Sequence, residues 1–341
     1  MVKLESMENT GLALRKEDHL SMAQASQTEA SMLNQAFDYE PLLSAHPDAS
    51  GARSRFAEVE YSLPLWISSM TGGAQHARAL NTMLARAAET FKLGMGLGSC
   101  RPLLEERQTK ADFDMRPFMP TRPLFANLGI AQVEKLQLAK REGEIHAMVD
   151  ELKATGLIIH VNPLQEFFQP GGDHFTRAPL ETISEFVARA PYPVMVKEVG
   201  HGMGPRSLQA LMRLPLYAIE FGAFGGTNFS ILEARRAKRS EAHPMIYVGH
   251  TAQEMTAMVR QLLRSDENFK CRRFIVSGGV RDVLEAYGLT SQLPEALYGQ
   301  AAGLLSYAEQ GEAALFAYIE SQIQSFALAR AFLRAKSGDL S

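Results

Sequence analysis

Cysteine is almost missing from this chain, with only Cys100 and Cys271 among 341 residues. They form no CxxC pair and are too few for a disulfide framework, which suits a reducing compartment and leaves no metal-thiolate centre. Strong charge of either sign is missing as well. A formal net charge of −3 and a pI near 6.3 offer no broad attraction to nucleic acid or an anionic membrane, so a phosphate-bearing ligand must be held by local groups. No stretch approaches the ~18 apolar residues of a membrane span. The opening "MVKLESMENTGLALRKEDHL" lacks the apolar core of a signal peptide, so a soluble cytoplasmic protein is expected, without nucleic-acid or membrane partners. The one basic run, Arg235-Arg236-Ala237-Lys238-Arg239, reads as a solvated helix face. Short-period repeats and low-complexity tracts are absent too.

What is present is an alternation of short β-prone runs with longer helical ones, the pattern of a parallel α/β fold. The expected strands are Leu65–Ser69, Leu93–Leu97, Leu124–Asn127, Leu157–Val161, Val194–Lys197, Tyr217–Phe221, Phe274–Ser277 and Leu297–Ala301. Eight β/α units predict a (β/α)8 TIM barrel over residues 61–341. Residues 1–60 are expected to form an N-terminal extension, with a possible helix at Gln24–Leu33. The spacing is even except between the sixth and seventh strands, where roughly 55 residues leave room for an insertion within Asn228–Lys270.

Active sites of such barrels lie at the C-terminal ends of the strands, so the residues after each apolar run carry the functional expectation. They include Ser68-Ser69-Met70-Thr71-Gly72-Gly73, Gly98-Ser99-Cys100-Arg101, Asn127-Leu128-Gly129, Lys197-Glu198-Val199-Gly200-His201-Gly202, Gly225-Gly226-Thr227 and Ser277-Gly278-Gly279-Val280-Arg281-Asp282. The fourth strand ends in "HVNPLQEFFQPGG", where His160, Asn162, Gln165 and Glu166 fall within seven residues. Glycines let backbone N–H groups approach a phosphate, and the seventh and eighth loops of barrels often supply such a site, which singles out Gly278, Gly279 and Arg281. Lys197 can pair with Glu198, stand beside an electron-rich ring, or form a Schiff base. Glu166 is either an exposed loop carboxylate or, with Gln165 and His160, part of a polar pocket for Mg2+. Taken alone, Arg15-Lys16-Glu17-Asp18-His19 reads as a solvated turn.

In order and spacing, "RKEDH", "SSMTGG", "GSCR", "NLG", "HVNPLQE", "VKEVGHG", "FGGTNF" and "SGGVRD" resemble the FMN-dependent type 2 isopentenyl-diphosphate isomerases, from Arg15 to about Leu305. The resemblance implies a flavin lined by Ser69, Met70, Thr71, Gly72, Ser99, Asn127, Lys197, Thr227, Gly278, Gly279 and Arg281, with Ala301 and Ala302 near its phosphate. It implies that Arg15, Lys16, His19, Ser99, Cys100, Arg101, His160 and Gln165 contact the substrate diphosphate or its carbons. His160, Asn162 and Gln165 would then serve catalysis, and Glu166 would bind Mg2+. It further implies FMN active in its reduced form, NADPH as reductant, and a homo-oligomer, tetramer or larger, whose N-terminal extension covers a neighbour's mouth. Three departures stand out: Cys100 for a glutamine, Gly222 for a serine, and an eighth-strand segment, "LTSQLPEALYGQAAGLLSYA", that matches poorly.

Isomerisation of an allylic unit adds a proton at one end and removes one at the other, so it needs a strong, well-placed acid and a dry site that stabilises developing positive charge. Gln165 is no strong acid and is expected to position the reacting carbons. A 2-hydroxy-acid oxidase on the same barrel is the rival enzyme, but it needs a histidine base where Ser277-Gly278-Gly279 stands. A Schiff-base aldolase using Lys197 and a non-catalytic flavin- or phosphate-binding protein complete the set of rival functions.

Overall fold

The computed structural model describes residues 18–19, 21–69, 77–105, 110–239 and 241–336. The chain divides into a large unit, Tyr39–Ala335, and a small unit to which the described residues before Tyr39, and Lys336, belong. In the small unit the expected helix at Gln24–Leu33 shrinks to a single 3-10 turn, Ala30–Met32. Met32 and Leu33 remain about 70% exposed there, and a helix of that length is marginal in water without an apolar face to bury.

The large unit is a closed parallel barrel with its strands in sequential order. They are β1 Leu65–Ile67, β2 Gly94–Gly96, β3 Leu124–Gly129, β4 Gly156–Val161, β5 Val194–Glu198, β6 Ala218–Glu220, β7 Arg273–Ser277 and β8 Glu295–Gln300. All eight expected strands are therefore present, and β8 closes on β1 through the register Tyr298↔Leu65. Nearly every strand residue is buried, as expected where helices cover the outer face and side chains fill the interior.

A hairpin of Ser54–Phe56 and Val59–Tyr61 closes the N-terminal end of the barrel. Phe56 and Tyr61 are fully buried in one cluster with Trp66, Phe125, Ile158, Met195 and Leu297, drawn from β1, β3, β4, β5 and β8. The rings meet edge to face, Phe56 on Tyr61 and Trp66 on Phe125 at centroid distances of 6.3 and 5.8 Å. Gly94 makes room for this packing, because a Cβ there would lie 2.2 Å from the Trp66 ring.

Between β6 and β7 the chain adds the helix Phe229–Arg236 and the 3-10 turn Pro244–Tyr247 before the barrel helix Ala252–Ser265. Asn228 starts this insertion by accepting from Ile231 N at 3.0 Å and donating to Ile246 O at 2.8 Å. Ala234 and Ile246 then bury against Phe168, which lies on the short helix Pro163–Phe168 after β4. The basic run ends Phe229–Arg236 as a solvated face, with Arg235 paired to Glu241 and Arg236 to Glu233.

Candidate active site

A cavity of about 320 Å3 opens at the C-terminal ends of β1, β5, β6, β7 and β8. Of the expected flavin residues, Ser69, Lys197, Thr227, Gly278, Gly279, Arg281, Ala301 and Ala302 line it together. Ser99 and Asn127 do not line it, and Met70, Thr71 and Gly72 lie outside the described residues. Buried Lys197 is the last but one residue of β5, and its Nζ donates to the backbone carbonyl of Glu198 at 2.9 Å. The Glu198 carboxylate turns elsewhere, accepting from the N–H groups of Gly200, His201 and Gly202 at 2.6–3.0 Å. The readings of Lys197 thus separate: it makes no carboxylate pair with its neighbour, and its ammonium borders the cavity.

Glu198 holds the β5 loop so that Gly200 N and Gly202 N donate to Gly222 O at 2.8 and 3.0 Å, while Gly222 N donates to Ser277 Oγ at 3.0 Å. Three loops are tied together in this way. Gly222 has φ +53, and a Cβ on it would sit 1.9 Å from Glu198 O, so the glycine that replaces the expected serine is a steric requirement. Ser277, in the position where an oxidase would carry its histidine base, is occupied in holding this junction.

Sequence reasoning missed Glu220 and Tyr318, both of which border the cavity. Glu220, 1% exposed at the end of β6, accepts from Ser68 Oγ at 2.6 Å through one carboxylate oxygen. Its other oxygen and Ser69 Oγ are buried without a hydrogen-bond partner among the described residues. Buried polar atoms are seldom left unpaired, so these two mark where a polar ligand belongs. A charged residue closing an otherwise apolar three-residue strand was the available signal for Glu220.

A second polar group surrounds "HVNPLQE". His160 stands at the end of β4, opposite Gly129 and Lys197 in the register of the neighbouring strands. Asn127 Nδ2 donates to Leu97 O at 3.0 Å, which leaves its Oδ1 to accept from His160 Nδ1 at 2.8 Å and fixes the ring tautomer. Burial, reinforced by the Lys197 ammonium, pushes His160 down to about 3, so the ring is neutral near pH 7. Asn162 Nδ2 donates to Gln165 Oε1 at 3.1 Å and to Glu166 Oε1 at 2.9 Å, and buried Asn162 Oδ1 has no partner among the described residues. Glu166 is buried rather than an exposed loop carboxylate, and its Oε2 accepts from Asp173 N at 2.8 Å. Asp173, also missed from the sequence, receives Arg101 Nη1 at 2.9 Å and Gln132 Nε2 at 2.8 Å.

Cys100 is fully buried, its Sγ approaches Gly98 O at 3.5 Å, and burial pushes its thiol up to about 12, so the side chain packs into the core rather than facing solvent. Neighbouring Ser99 and Arg101 keep partial exposure. Arg15 and Lys16 lie outside the described residues, and His19 is exposed in the small unit. The described residues contain no group of three or more His, Cys, Asp or Glu side chains that could hold a metal unaided.

No family model matches the chain. Curated relatives do. The isopentenyl-diphosphate delta-isomerase of Hydrogenovibrio crunogenus (strain DSM 25203 / XCL-2) is 32% identical over 340 residues, covering 96% of this chain and 95% of the relative. That of Cronobacter sakazakii (strain ATCC BAA-894) is 34% identical over 331 residues, covering 93% and 92%. The chain belongs to the isopentenyl-diphosphate delta-isomerase family. Membership agrees with the type 2 resemblance of the motifs and makes the chain an isomerase-family enzyme, with the barrel mouth as its candidate active site. Among solved structures, a flavocytochrome b2 variant with benzoylformate aligns with TM-score 0.60 at 12% identity, covering 87% of this chain and 75% of that one. A mandelate oxidase variant with the monooxide FMN adduct aligns with TM-score 0.54 at 13% identity, covering 89% and 88%. At such low identity these likenesses bear on the barrel fold alone. No helix among the described residues is long and apolar enough to cross a membrane.

Proposed function

We propose that this enzyme interconverts isopentenyl diphosphate and dimethylallyl diphosphate with the aid of reduced FMN and Mg2+. The whole-length similarity to relatives bearing the isomerase name carries the reading. FMN fits the cavity on the chain's own terms: unpaired Ser69 Oγ and Glu220 carboxylate oxygen at its wall, a lysine at its edge, and glycine loops at one end. Reduced flavin would supply an electron-rich ring facing the developing cation and a proton that can be exchanged. Lys197 would hold positive charge against that ring, and Thr227, Gly278, Gly279, Arg281, Ala301 and Ala302 would anchor its chain and phosphate.

In the second polar group, Glu166 would bind Mg2+, which tolerates few protein ligands when waters and phosphate oxygens complete its shell. His160 is neutral without substrate, and a diphosphate beside it would draw a proton onto Nε2 so that the ring donates to a phosphate oxygen. Arg101 joins this group through Asp173, and Ser99 and Arg101 would contact the diphosphate. Arg15, Lys16 and His19 of the residue 1–60 extension would add cations from a neighbouring copy in a homo-oligomer of four or more chains. Exposed Phe167 and Tyr247, 59% and 57% accessible on the β4 and β6 loops, support contact between copies. Gln165 would orient the reacting carbons, NADPH would supply the reducing equivalents, and the setting would be the cytoplasm.

The test is to purify the protein, record its visible spectrum, reduce it anaerobically and assay isomerisation with Mg2+. Activity is expected after reduction only. A protein with no affinity for FMN, or equal turnover in both redox states, refutes the reading.

A further inference from the structure

The residues that hold the far end of the cavity extend beyond the glycine loops. The helix Ala302–Glu309 begins at the wall with Ala301 as its N-cap, a residue that brings no capping side chain, so its first N–H groups face the cavity end uncapped. Tyr318 stands over this start from a different element, the C-terminal helix Glu312–Phe332. A Cβ built on Gly303 would lie 3.6 Å from the Tyr318 hydroxyl. The Tyr318 ring is held by stacking on Tyr307, centroids 4.0 Å apart and planes 16° from parallel. Its hydroxyl donates to Gln300 Oε1 at 3.3 Å, and Gln300 Oε1 also receives Gln322 Nε2 at 3.3 Å. Gln322 is itself set by Tyr298, whose hydroxyl donates to Gln322 Oε1 at 2.9 Å.

This arrangement has one movable part. The ring is fixed, but the phenolic hydrogen turns freely, and Gln300 Oε1 keeps a donor in Gln322 if Tyr318 withdraws its own. We propose that the Tyr318 hydroxyl is a direct ligand of the flavin phosphate, turning from Gln300 to a phosphate oxygen when the cofactor enters. It joins the N–H groups at the start of Ala302–Glu309 and the Gly278-Gly279 turn, which line the same cavity. The poor match of the eighth-strand segment to the expected pattern falls within this part of the site, where Gln300 and Tyr318 form a local solution. The proposal rests on the flavin reading above and specifies which end of the flavin Tyr318 holds.

A hydrogen bond to a charged phosphate oxygen is lost in Tyr318→Phe, while the stacked ring remains. Protein freed of flavin is titrated with FMN and, separately, with riboflavin, which has the same ring and ribityl chain but no phosphate, following flavin fluorescence. Wild type is expected to prefer FMN. Tyr318→Phe should weaken FMN about tenfold to a hundredfold and leave riboflavin unchanged. Tyr307→Phe, which keeps the stack and removes a different hydroxyl, should change neither. An unaltered FMN-to-riboflavin preference in Tyr318→Phe overturns the proposal and leaves the flavin reading standing. Equal weakening of both ligands overturns it too, as structural damage. A wild type that binds neither ligand overturns the flavin reading and the proposal together.

Discussion

His160 should make the enzyme sensitive to acid in a way that its replacement abolishes. Its ring titrates near 6.5 in the unfolded chain and near 3 in the folded one. The folded state therefore disfavours the proton, so the native advantage is fully present above about pH 6.5 and is lost as pH falls toward 3. The loss runs at ~1.4 kcal/mol per pH unit inside that window, which gives about 2.5 kcal/mol between about pH 7 and about pH 4.5. The ring's remaining solvent access trims this to about 1.5–2.5 kcal/mol. The assay is urea unfolding of wild type and His160→Gln at both pH values, without substrate. Wild type should lose that much more stability than the variant on acidification. Lys197→Met should recover part of the difference, because the Lys197 charge is the second cause of the depressed value. Identical pH dependence in wild type and His160→Gln would refute the reasoning.

Gly222→Ala combines a left-handed backbone with a Cβ 1.9 Å from Glu198 O and should cost at least about 3 kcal/mol in chemical unfolding; an unchanged midpoint would show that the three-loop junction yields easily. Ser69→Ala removes a buried unpaired hydroxyl, so flavin-free protein should unfold at the same or a higher temperature while FMN binds less tightly, and tighter binding would contradict the role given to that atom. Glu166→Gln should sharply raise the Mg2+ concentration needed for half-maximal rate and spare FMN affinity, a pattern checked by metal titration. Gln165→Ala should lower kcat more than it raises KM; a change in KM alone would remove it from the reacting carbons.

The barrel was legible because each strand is a short apolar run followed by polar residues, and the observed strands differ from that reading by only a few residues at their ends. Local periodicity carries that information. It does not carry side-chain direction on loops. Cys100 lies between Ser99 and Arg101 and shares their motif, yet its thiol turns into the core while theirs keep solvent access. Nor does it carry contacts between distant elements. Tyr318 reaches the cavity from a helix whose own pattern records only which face packs on the barrel, and Asp173 joins Arg101 across 72 positions of sequence. The possible helix at Gln24–Leu33 failed for the opposite reason: local propensity was present, but tertiary burial was not.

The aromatic hairpin beneath the barrel has a consequence for traffic. With Phe56, Tyr61, Trp66 and Phe125 stoppering the N-terminal end, ligands come and go through the C-terminal mouth, and whatever lies deeper must arrive first and leave last. In the proposed reading, a flavin seated on Glu220 and Ser69 would rest against the strand ends themselves, while a diphosphate gripped by Glu166 and Arg101, on the short helices that follow their strands, would sit nearer the neck. The deeper passenger can then stay aboard through many turnovers while the shallower one is exchanged at each.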